Sequence, residues 1–388
     1  MKSIVVIGAG FGGAYAAKNI LKRLPPGFNL ILINKSELFT FKPLLHEVAT
    51  GAFSADVVCE CIKTFLSHKN LKFIKGIVTN IDFKKRTVAV NKKRINYNYL
   101  LISIGANTNF FNIPGAEKYS LKLDSVEDAF KIKNAIINVL KRDSPKIVVV
   151  GGGPTGVELS SEIAEFTKQF KNDFSITVIE RSNRIFPRFR AKFATYANKF
   201  FNKEKISLLL GTGVVKVGKN FVITDAKQKI PADLVVWTAG VKPCPVDVIP
   251  KTTVQNGFFP VDSYLRLNDY KDVFAVGDCA LAKNQDGSLV PQLAQSAREE
   301  GVVASENILA DINKKPLKKF FFNQKGVIIP LGKGHAIADI KGFVFSGFFA
   351  WWLNRTVYLM NMFGFFHKLY VVLNWTIGLF RKRDEKIS

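Results

Sequence analysis

The sequence IVVIGAGFGG, at residues 4–13, decides the fold of the first part of the chain. Its apolar residues 4–7 predict a buried parallel strand. Residues 14–21, which favour a helix, follow directly. Between the strand and the helix, three glycines have the spacing G-x-G-x-x-G. A glycine loop in this position predicts an α/β unit of the Rossmann type, which binds a dinucleotide.

Each glycine of this loop has its own role. Gly8 permits the tight turn, Gly10 lets the backbone approach a pyrophosphate, and Gly13 lets the helix pack on the strand. The helix N-terminus then faces the anion. The next strand, at residues 30–33, ends at Asn34, where an acidic residue normally binds the ribose hydroxyls. Asn34 can donate and accept hydrogen bonds, but it brings no charge.

A second fingerprint, KIVVVGGGPTGVELSSEIAEF, occupies residues 146–166. Gly151, Gly153 and Gly156 repeat the same spacing between a β-branched strand and a helix-forming run. Two such loops, each with strand, helix and second strand in place, predict two dinucleotide sites in one chain.

The strand after the second fingerprint, at residues 175–179, ends at Glu180. A carboxylate in this position binds the ribose diol and repels a 2′-phosphate, which favours NADH over NADPH. Arg181 and Arg184 lie nearby and could weaken that preference.

Three further segments read as strands that end in glycine turns. They are YLLISIGA at residues 99–106, LVVWTAG at 234–240 and DVFAVGD at 272–278. The last one brings Asp278 to the carboxyl end of its strand, where ligands of open α/β sheets bind. A carboxylate there can bind a ribityl hydroxyl.

The ordered set GAGFGG, IGAN, GGGPTGVE, WTAG and VGDCA resembles the flavoproteins with two dinucleotide-binding domains. The segment FKPLLHEVATG, at residues 41–51, is similar to the F-x-P-L-L-Y-E-V-A-T-G motif of type II NADH:quinone oxidoreductases. The segment PQLAQSA, at residues 291–297, is similar to the quinone-side A-Q-x-A motif of that family. Two departures are His46, where tyrosine is usual, and Glu299, where a second glutamine is usual.

The resemblance implies which residues bind each cofactor. The NADH residues are Gly151, Gly153, Pro154, Thr155, Gly156, Glu180 and Gly240. The FAD residues are Gly8, Gly10, Phe11, Gly12, Gly13, Asn34, Lys35, Lys42, Val78, Gly105, Gly277, Asp278, Ala294 and Gln295.

The resemblance also implies a proton-relay role for Glu158, which matches a family glutamate that faces the flavin and nicotinamide region. A purely structural role for Glu158 stays open as the alternative, since a glutamate in the first turn of a helix is stabilised by the helix dipole alone.

The four cysteines narrow the chemistry. Cys59, Cys61, Cys244 and Cys279 form no C-x-x-C pair and no cluster typical of a metal site, so we expect reduced thiols. Cys59 and Cys61 are too close in sequence for a disulfide of good geometry. Disulfide reductases and sulfide:quinone oxidoreductases need paired cysteines. The simplest route is therefore hydride transfer from NADH to FAD, followed by transfer of two electrons and protons to a membrane quinone, either ubiquinone or menaquinone.

The chain is strongly basic, with 56 Lys and Arg against 31 Asp and Glu and a formal net charge of +25. This balance indicates either a polyanionic partner, such as an anionic membrane surface, or the composition of an AT-rich genome. Nothing resembles a nucleic-acid module, so we expect no nucleic-acid partner.

The C-terminal part, from Lys341 onward, is rich in aromatic residues, and its uncharged stretches are too short to span a bilayer. Phe345, Phe348, Phe349 and Trp352 recur at helical spacing and predict an apolar stripe. Asn354, Asn361 and Lys368 recur every seven residues on one face. Arg381, Lys382 and Arg383 close the segment. We expect one or two in-plane amphipathic helices, broken near Gly364, that anchor the protein to a membrane. A core helix, a dimer-interface helix and a transmembrane hairpin are the alternatives.

The sequence therefore predicts an α/β fold in three parts. Residues 1–115 and 258–335 form a discontinuous FAD domain, residues 116–257 an NAD(H) domain, and residues 336–388 the membrane anchor. Because no signal peptide precedes the first strand, we expect a peripheral protein on the cytoplasmic face of the cell membrane. A homodimer is left open.

Two other functions stay open. One is an FAD-dependent reductase of a soluble ferredoxin or rubredoxin, which would not need the C-terminal anchor. The other is a non-catalytic NAD(H)-responsive binding protein.

Overall fold

The structure, a computed structural model, describes residues 1–170, 173–378 and 383–384. Contacts divide the chain into two compact units. The first consists of Met1–Phe39, Glu60–Asn107 and Lys242–Gln324, and the second of Thr40–Cys59, Thr108–Val241 and Lys325–Ser388.

The helices, in chain order, are α1 (Phe11–Lys22), α2 (Leu45–Val48), α3 (Ala55–Val58), α4 (Ile62–Phe65), α5 (Ala116–Tyr119), α6 (Val126–Val139), α7 (Pro154–Thr167), α8 (Ala191–Lys203), α9 (Ala294–Ile312), α10 (Phe348–Asn361) and α11 (Phe365–Gly378). Short 3₁₀ turns lie at Lys42–Leu44, Lys251–Thr253 and Gly277–Cys279.

The strands are β1 (Lys2–Ile7), β2 (Phe28–Asn34), β3 (Leu38–Thr40), β4 (Cys59–Cys61), β5 (Leu71–Lys75), β6 (Val78–Asp82), β7 (Thr87–Val90), β8 (Lys93–Asn96), β9 (Tyr99–Ile102), β10 (Ala106–Thr108), β11 (Lys146–Val150), β12 (Ser175–Ile179), β13 (Ile206–Leu209), β14 (Val214–Gly218), β15 (Phe221–Thr224), β16 (Lys229–Pro231), β17 (Leu234–Trp237), β18 (Val241–Pro243), β19 (Asp247–Ile249), β20 (Phe259–Pro260), β21 (Arg266–Leu267), β22 (Tyr270–Ala275), β23 (Ala280–Leu281), β24 (Val327–Pro330), β25 (Ala336–Ile340) and β26 (Phe343–Ser346).

A parallel sheet in the first unit carries the first glycine fingerprint. Its parallel strands have the order β5, β2, β1, β9, β22, and β21 adds an antiparallel edge. Ile4 of β1 lies opposite Leu30 of β2 on one side and Tyr99 of β9 on the other. Since the connections run to both sides of β1, its carboxyl end is a topological switch point, where open α/β sheets bind ligands.

The second unit repeats this arrangement around the second fingerprint. Its four parallel strands have the order β13, β12, β11, β17, so that β11 again lies between the following strand and a later one. The predicted α/β class with two Rossmann-type units is confirmed.

The contact units differ from the predicted domain bounds. Residues 40–59 belong to the second unit because α2 packs against α6 and α7. Residues 242–257 belong to the first, where β19 pairs with β6. Residues 325–335 belong to the second, because β24 pairs with β25. The assignment of FAD and NADH to domains stays a prediction.

The C-terminal segment forms two helices, α10 and α11, that are separated near Gly364 as predicted. Phe348, Phe349 and Trp352 of α10 are exposed, and so are Phe365 and Phe366 of α11. Apolar side chains therefore point outward, as in a helix that lies on a membrane surface. Within the described residues, no helix combines the length and the apolar character that crossing a bilayer requires.

The inner side of α10 belongs to the protein core. Ala350 and Trp351 pack with Ala336 and Ala338 of β25, and Asn354 is fully buried. The prediction that Asn354, Asn361 and Lys368 share one helical face is wrong, because Lys368 lies in α11 and the other two residues lie in α10. Phe345 lies in β26, before α10, so it is not part of the helical stripe.

Arg381 and Lys382, two of the three predicted basic tail residues, lie outside the described residues. The third, Arg383, is largely buried and forms an ion pair with the buried Glu162.

Candidate functional site

The first glycine loop packs so closely on its sheet that two of its glycines leave no room for a side chain. A Cβ atom at Gly13 would overlap the carbonyl oxygen of Gly8, and a Cβ atom at Gly8 would overlap that of Ser103. The backbone of Gly8 is also in the left-handed region, with a φ of +90°. These contacts set the first turn of α1 on the carboxyl ends of β1 and β9.

Gly10, the N-cap of α1, differs from these glycines because it faces open space. A Cβ atom there would have no protein atom within 4 Å. The packing of the protein therefore does not require glycine at this position, whereas a pyrophosphate that approaches the helix N-terminus does. The loop fits the dinucleotide that the sequence predicts.

Asn34 binds the loop rather than standing free at the end of β2. Its Oδ1 accepts a hydrogen bond from the Ala9 N–H at 3.0 Å, and its Nδ2 donates to the Ser36 carbonyl at 2.8 Å. An uncharged amide suits this place because it can accept from one backbone group and donate to another. The sequence assigned Asn34 only to the ribose and missed this structural role.

Several other predicted FAD residues gather at the same edge of the first sheet. Gly105 follows β9 and Gly277 follows β22, and both strands lie on one side of β1. A Cβ atom at Gly105 would also meet no protein atom within 4 Å. Asp278 lies in the 3₁₀ turn after β22, and its carbonyl oxygen accepts from Gln292 Nε2 at 3.0 Å.

The remaining predicted FAD residues are more scattered. Ala294 and Gln295 begin α9, and Val78 begins β6. Phe11 packs edge-to-face on Phe39. Lys35 is exposed in the first unit, and Lys42 is exposed in the second.

The sequence reasoning missed Glu300, a buried carboxyl beneath the Gly277 turn. Glu300 accepts a hydrogen bond from the Gly277 N–H. Burial raises the pKa of Glu300 to about 8, the Gly277 N–H acts in the opposite direction, and the charge of Asp278 raises it further.

The next residue, Gly301, allows α9 to approach α1, since a Cβ atom there would overlap the carbonyl oxygen of Gly12.

The second glycine loop reproduces the geometry of the first. A Cβ atom at Gly156 would overlap the carbonyl oxygen of Gly151, whereas a Cβ atom at Gly153 would have no protein atom within 4 Å. Pro154 and Thr155 begin α7, and proline suits the first helical position because no partner is needed for its missing N–H. The second loop therefore has the same opening for a pyrophosphate.

Glu180 corresponds to Asn34 in the second unit. Its Oε2 accepts from the Gly152 N–H at 2.7 Å, and its Oε1 accepts from the Ser182 N–H at 2.8 Å. The carboxylate is thereby fixed beside the loop. Arg184 Nη2 donates to the carbonyl oxygens of Pro187 and Phe189, which commits this guanidinium to the backbone.

Gly240, predicted to bind NADH, has a different neighbour. A Cβ atom there would overlap the ring of the exposed Phe111 unless that ring moved, and the φ of Gly240, +70°, itself favours glycine. The sequence offered no signal for this contact, which joins residues far apart in the chain.

A buried acid–base cluster lies in the second unit around α7. Glu158 and Glu162 share one face of this helix, four residues apart. Glu47 of α2 forms a two-point ion pair with Arg355 of α10, with both N···O distances at 2.7 Å. Glu162 lies 2.6 Å from Arg383 Nη2. Of the carboxyl groups of Glu47, Glu158 and Glu162, the first and the third therefore each have an arginine as ion-pair partner.

Glu158, the third carboxyl, has a different environment. Its Oε2 lies 3.7 Å from Nδ1 of the buried His46. Burial raises the pKa of Glu158 well above its ordinary value, and the charges of Glu47 and Glu162 raise it further. Glu158 therefore keeps its proton at pH values where an exposed glutamate is charged.

Burial also lowers the pKa of His46 to about 4, so the imidazole is neutral at pH 7. Tyr358 of α10 is partly buried near Glu158, and its desolvation raises the pKa of its hydroxyl. Three neutral groups that can exchange protons, Glu158, His46 and Tyr358, thus lie in one buried cluster. Of these, the resemblance identified Glu158 as a proton-relay residue and marked His46 only as a departure from the family motif, and it gave Tyr358 no role in the site.

All four cysteines lie within the described residues, and each is a free thiol. Cys279 is buried, and the other three are partly buried.

Comparison with known proteins supports the same interpretation. A family model described as pyridine nucleotide-disulphide oxidoreductase matches residues 2–301. A probable mitochondrial NADH-ubiquinone oxidoreductase of Schizosaccharomyces pombe is 29% identical, over 96% of this chain and 81% of that protein. A type II NADH:quinone oxidoreductase of Haemophilus influenzae is 27% identical, over 88% and 87%.

Two solved structures share the fold. The structure of NDH2 from Plasmodium falciparum in complex with NADH has a TM-score of 0.90 at 22% identity and covers 99% of each chain. The sulfide:quinone oxidoreductase from Aquifex aeolicus has a TM-score of 0.78 at 19% identity, over 100% of this chain and 92% of that one.

The open position at Gly153 makes a testable prediction. Gly153→Ala should fold normally, because its methyl group meets no protein atom, but should raise the NADH KM about tenfold or more by blocking the pyrophosphate. Gly156→Ala, the matched control, should instead lower the melting temperature. Steady-state kinetics and thermal unfolding separate the two effects, and an unchanged NADH KM in Gly153→Ala would refute the assignment.

Proposed function

Because the chain belongs to the pyridine nucleotide-disulphide oxidoreductase family, we propose that it is an FAD-dependent NADH:quinone oxidoreductase bound to the membrane surface. The observation that carries the proposal is the pair of glycine loops, each open to a ligand only at its middle glycine. Relatives that are similar over most of this chain are named NADH-ubiquinone or NADH:quinone oxidoreductases. The names of these relatives indicate that the electron acceptor is a quinone, about which the glycine loops give no information.

Each loop has a proposed ligand. FAD, when bound, takes a hydride from NADH and passes two electrons to the quinone. Gly10 and the N-terminus of α1 would hold the FAD pyrophosphate, and Asp278 its ribityl chain. Gly153 and the N-terminus of α7 would hold the pyrophosphate of NADH.

The second loop is built for NADH rather than NADPH. The Glu180 carboxylate, fixed by two backbone N–H groups, presents negative charge where a 2′-phosphate would lie. Arg184, which could have neutralised that phosphate, is committed to two carbonyl oxygens.

Reduction of a quinone to a quinol consumes two protons, and Glu158 is the residue that we propose to supply one. It is buried, it holds its proton, and neutral His46 lies beside it. A group used for proton transfer at neutral pH works best when its pKa lies near that pH, and the burial of Glu158 shifts it in that direction.

The exposed aromatic face of α10 and α11 favours a membrane acceptor over a soluble ferredoxin or rubredoxin. Phe349, Phe365 and Phe366 are each more than three-quarters exposed. A face of this kind would bring the enzyme to the bilayer, where quinones dissolve. The net charge of +25 would favour an anionic surface, which we propose to be the cytoplasmic face.

The proton role of Glu158 is testable with two electron acceptors. Glu158→Gln should slow quinone reduction by about 10²-fold, because the amide cannot release a proton. Ferricyanide reduction and flavin content should stay normal, since ferricyanide takes electrons without protons. Glu165→Gln, on the same helix, is the matched control. If Glu158→Gln reduced quinone at the wild-type rate, Glu158 would have a structural role only.

The charge of Glu180 should set the nucleotide preference. Glu180→Gln should raise the NADH KM about tenfold and leave the NADPH KM unchanged or lower, because the amide no longer repels the 2′-phosphate. Steady-state kinetics with both nucleotides measures the ratio. Equal changes in the two constants would contradict the ribose assignment.

Membrane binding should depend on the outward phenylalanines. The double variant Phe365→Ser and Phe366→Ser should bind vesicles of phosphatidylglycerol and phosphatidylcholine at least tenfold more weakly, because two apolar side chains are lost from the interface. The control is Ile77→Ser, an exposed apolar residue in the first unit. Equal vesicle sedimentation by both proteins would count against this surface.

A further inference from the structure

The chain returns to its own interior after α11, at Arg383 and Asp384. Arg383 Nη1 donates to Thr50 Oγ1 at 2.8 Å and to the Glu162 carbonyl oxygen at 3.1 Å. Its Nη2 lies 2.6 Å from the Glu162 carboxylate. Arg383 itself is only 14% exposed in its side chain. This arginine therefore acts as an internal counter-ion rather than as a surface charge.

Asp384 holds the tail in place through two further contacts. Its carboxylate accepts from Lys133 Nζ of α6 at 2.8 Å, and Lys133 is buried. Its backbone N–H donates to the Gly51 carbonyl oxygen at 3.0 Å. A Cβ atom at Gly51 would overlap the Asp384 carbonyl oxygen, so glycine at position 51 leaves room for the tail.

The tail completes the charge balance of the buried cluster. Arg355 forms an ion pair with Glu47, and Arg383 forms an ion pair with Glu162. Glu158 forms no ion pair with a lysine or arginine among the described residues, and its nearest ionisable partner is neutral His46. While Arg383 is docked, Glu158 is therefore the carboxyl that carries the proton.

Removal of Arg383 would leave Glu162 as a buried carboxylate without its ion-pair partner. A buried carboxylate in this situation takes up a proton rather than remaining charged. Glu162 would then hold a second proton four residues from Glu158, on the same helix face.

We propose that Arg383 is a positioning residue for proton transfer. By neutralising Glu162, Arg383 confines the transferable proton to Glu158. The proposal rests on the proposed function, because it concerns the same proton-transfer site. While Arg383 is paired with Glu162, Glu158 is the carboxyl that acts as the acid.

The groups that face Glu162 set the direction of the expected effect. They are His46 and Glu47 of α2, Glu158 and Glu165 of α7, and Arg383 and Asp384, together with Lys133, Lys168, Lys333 and Arg355, which line the same cavity as Glu162. Burial is the main cause of the low pKa of His46, Glu162 raises that pKa, and Arg355 and Arg383 lower it. Loss of the Arg383 charge therefore makes the cluster bind protons more tightly.

The test uses the full-length holoenzyme with Arg383→Met, which keeps the aliphatic stem and removes the charge. The alkaline limb of the pH profile for quinone reduction should move to higher pH, because Glu162 then holds a second proton that must also be lost before proton transfer fails. Arg383→Lys should restore the wild-type profile. The ferricyanide reaction should show no such shift, because it needs no proton.

A second measurement does not depend on turnover. Infrared difference spectra recorded across a pH titration detect the carbonyl stretch of protonated carboxyl groups. Arg383→Met should add one such band relative to wild type, and Glu162→Gln together with Arg383→Met should remove it and return the pH profile to that of wild type. Glu158→Gln should remove a different band.

The outcomes separate the two proposals. A wild-type protein that reduces no quinone would overturn the proposed function, while the infrared bands would still report on Arg383 and Glu162. A pH profile for Arg383→Met that superimposes on wild type, or a shift that persists in the Glu162→Gln background, would overturn the role of Arg383. If Arg383→Met fails to fold, Glu162→Gln alone should show no carbonyl band that wild type lacks. Such a band would count against the role of Arg383.

Discussion

At both glycine loops, a helix lies so near the preceding strand that a single methyl group would prevent the contact. Gly13 meets the Gly8 carbonyl, and Gly156 meets the Gly151 carbonyl, in the same way. This close approach points each helix N-terminus at the space above its sheet. It leaves one glycine per loop, Gly10 or Gly153, unused by the protein and open to a ligand. The proposed positions of the two pyrophosphates follow from this repeated geometry.

A balance of buried charges connects the C-terminal segment to α7, the helix that follows the second glycine loop. Arg355 and Arg383 each neutralise one buried glutamate, and both arginines come from the region that also presents aromatic side chains outward. The segment is therefore structural on its inner side and suited to lipid on its outer side. A chain cut before Gly342 would lose both arginines and leave Glu47 and Glu162 uncompensated, at a cost of about 3–5 kcal/mol for each broken buried pair. The helices are not a detachable anchor.

The sequence could predict features that depend on local patterns. Both fingerprints, the strands that carry them, the position of Asp278 and the break near Gly364 follow from residue spacing, and the structure contains each of them. It could not predict contacts between distant residues. Arg355 interrupts an apolar run in the sequence, yet in the structure it pairs with Glu47, 308 positions away. The same holds for Gly240 beneath Phe111, where no local pattern relates the two residues.

The most direct test follows the flavin absorbance by stopped flow, in purified protein mixed first with NADH and then with a quinone. We expect NADH to bleach the flavin band faster than the enzyme turns over, and the quinone to restore it at a rate consistent with turnover. A flavin that NADH reduces and ferricyanide reoxidises, but that no quinone reoxidises, would contradict the proposed acceptor. Protein that holds no flavin at all would contradict the assignment of the first glycine loop.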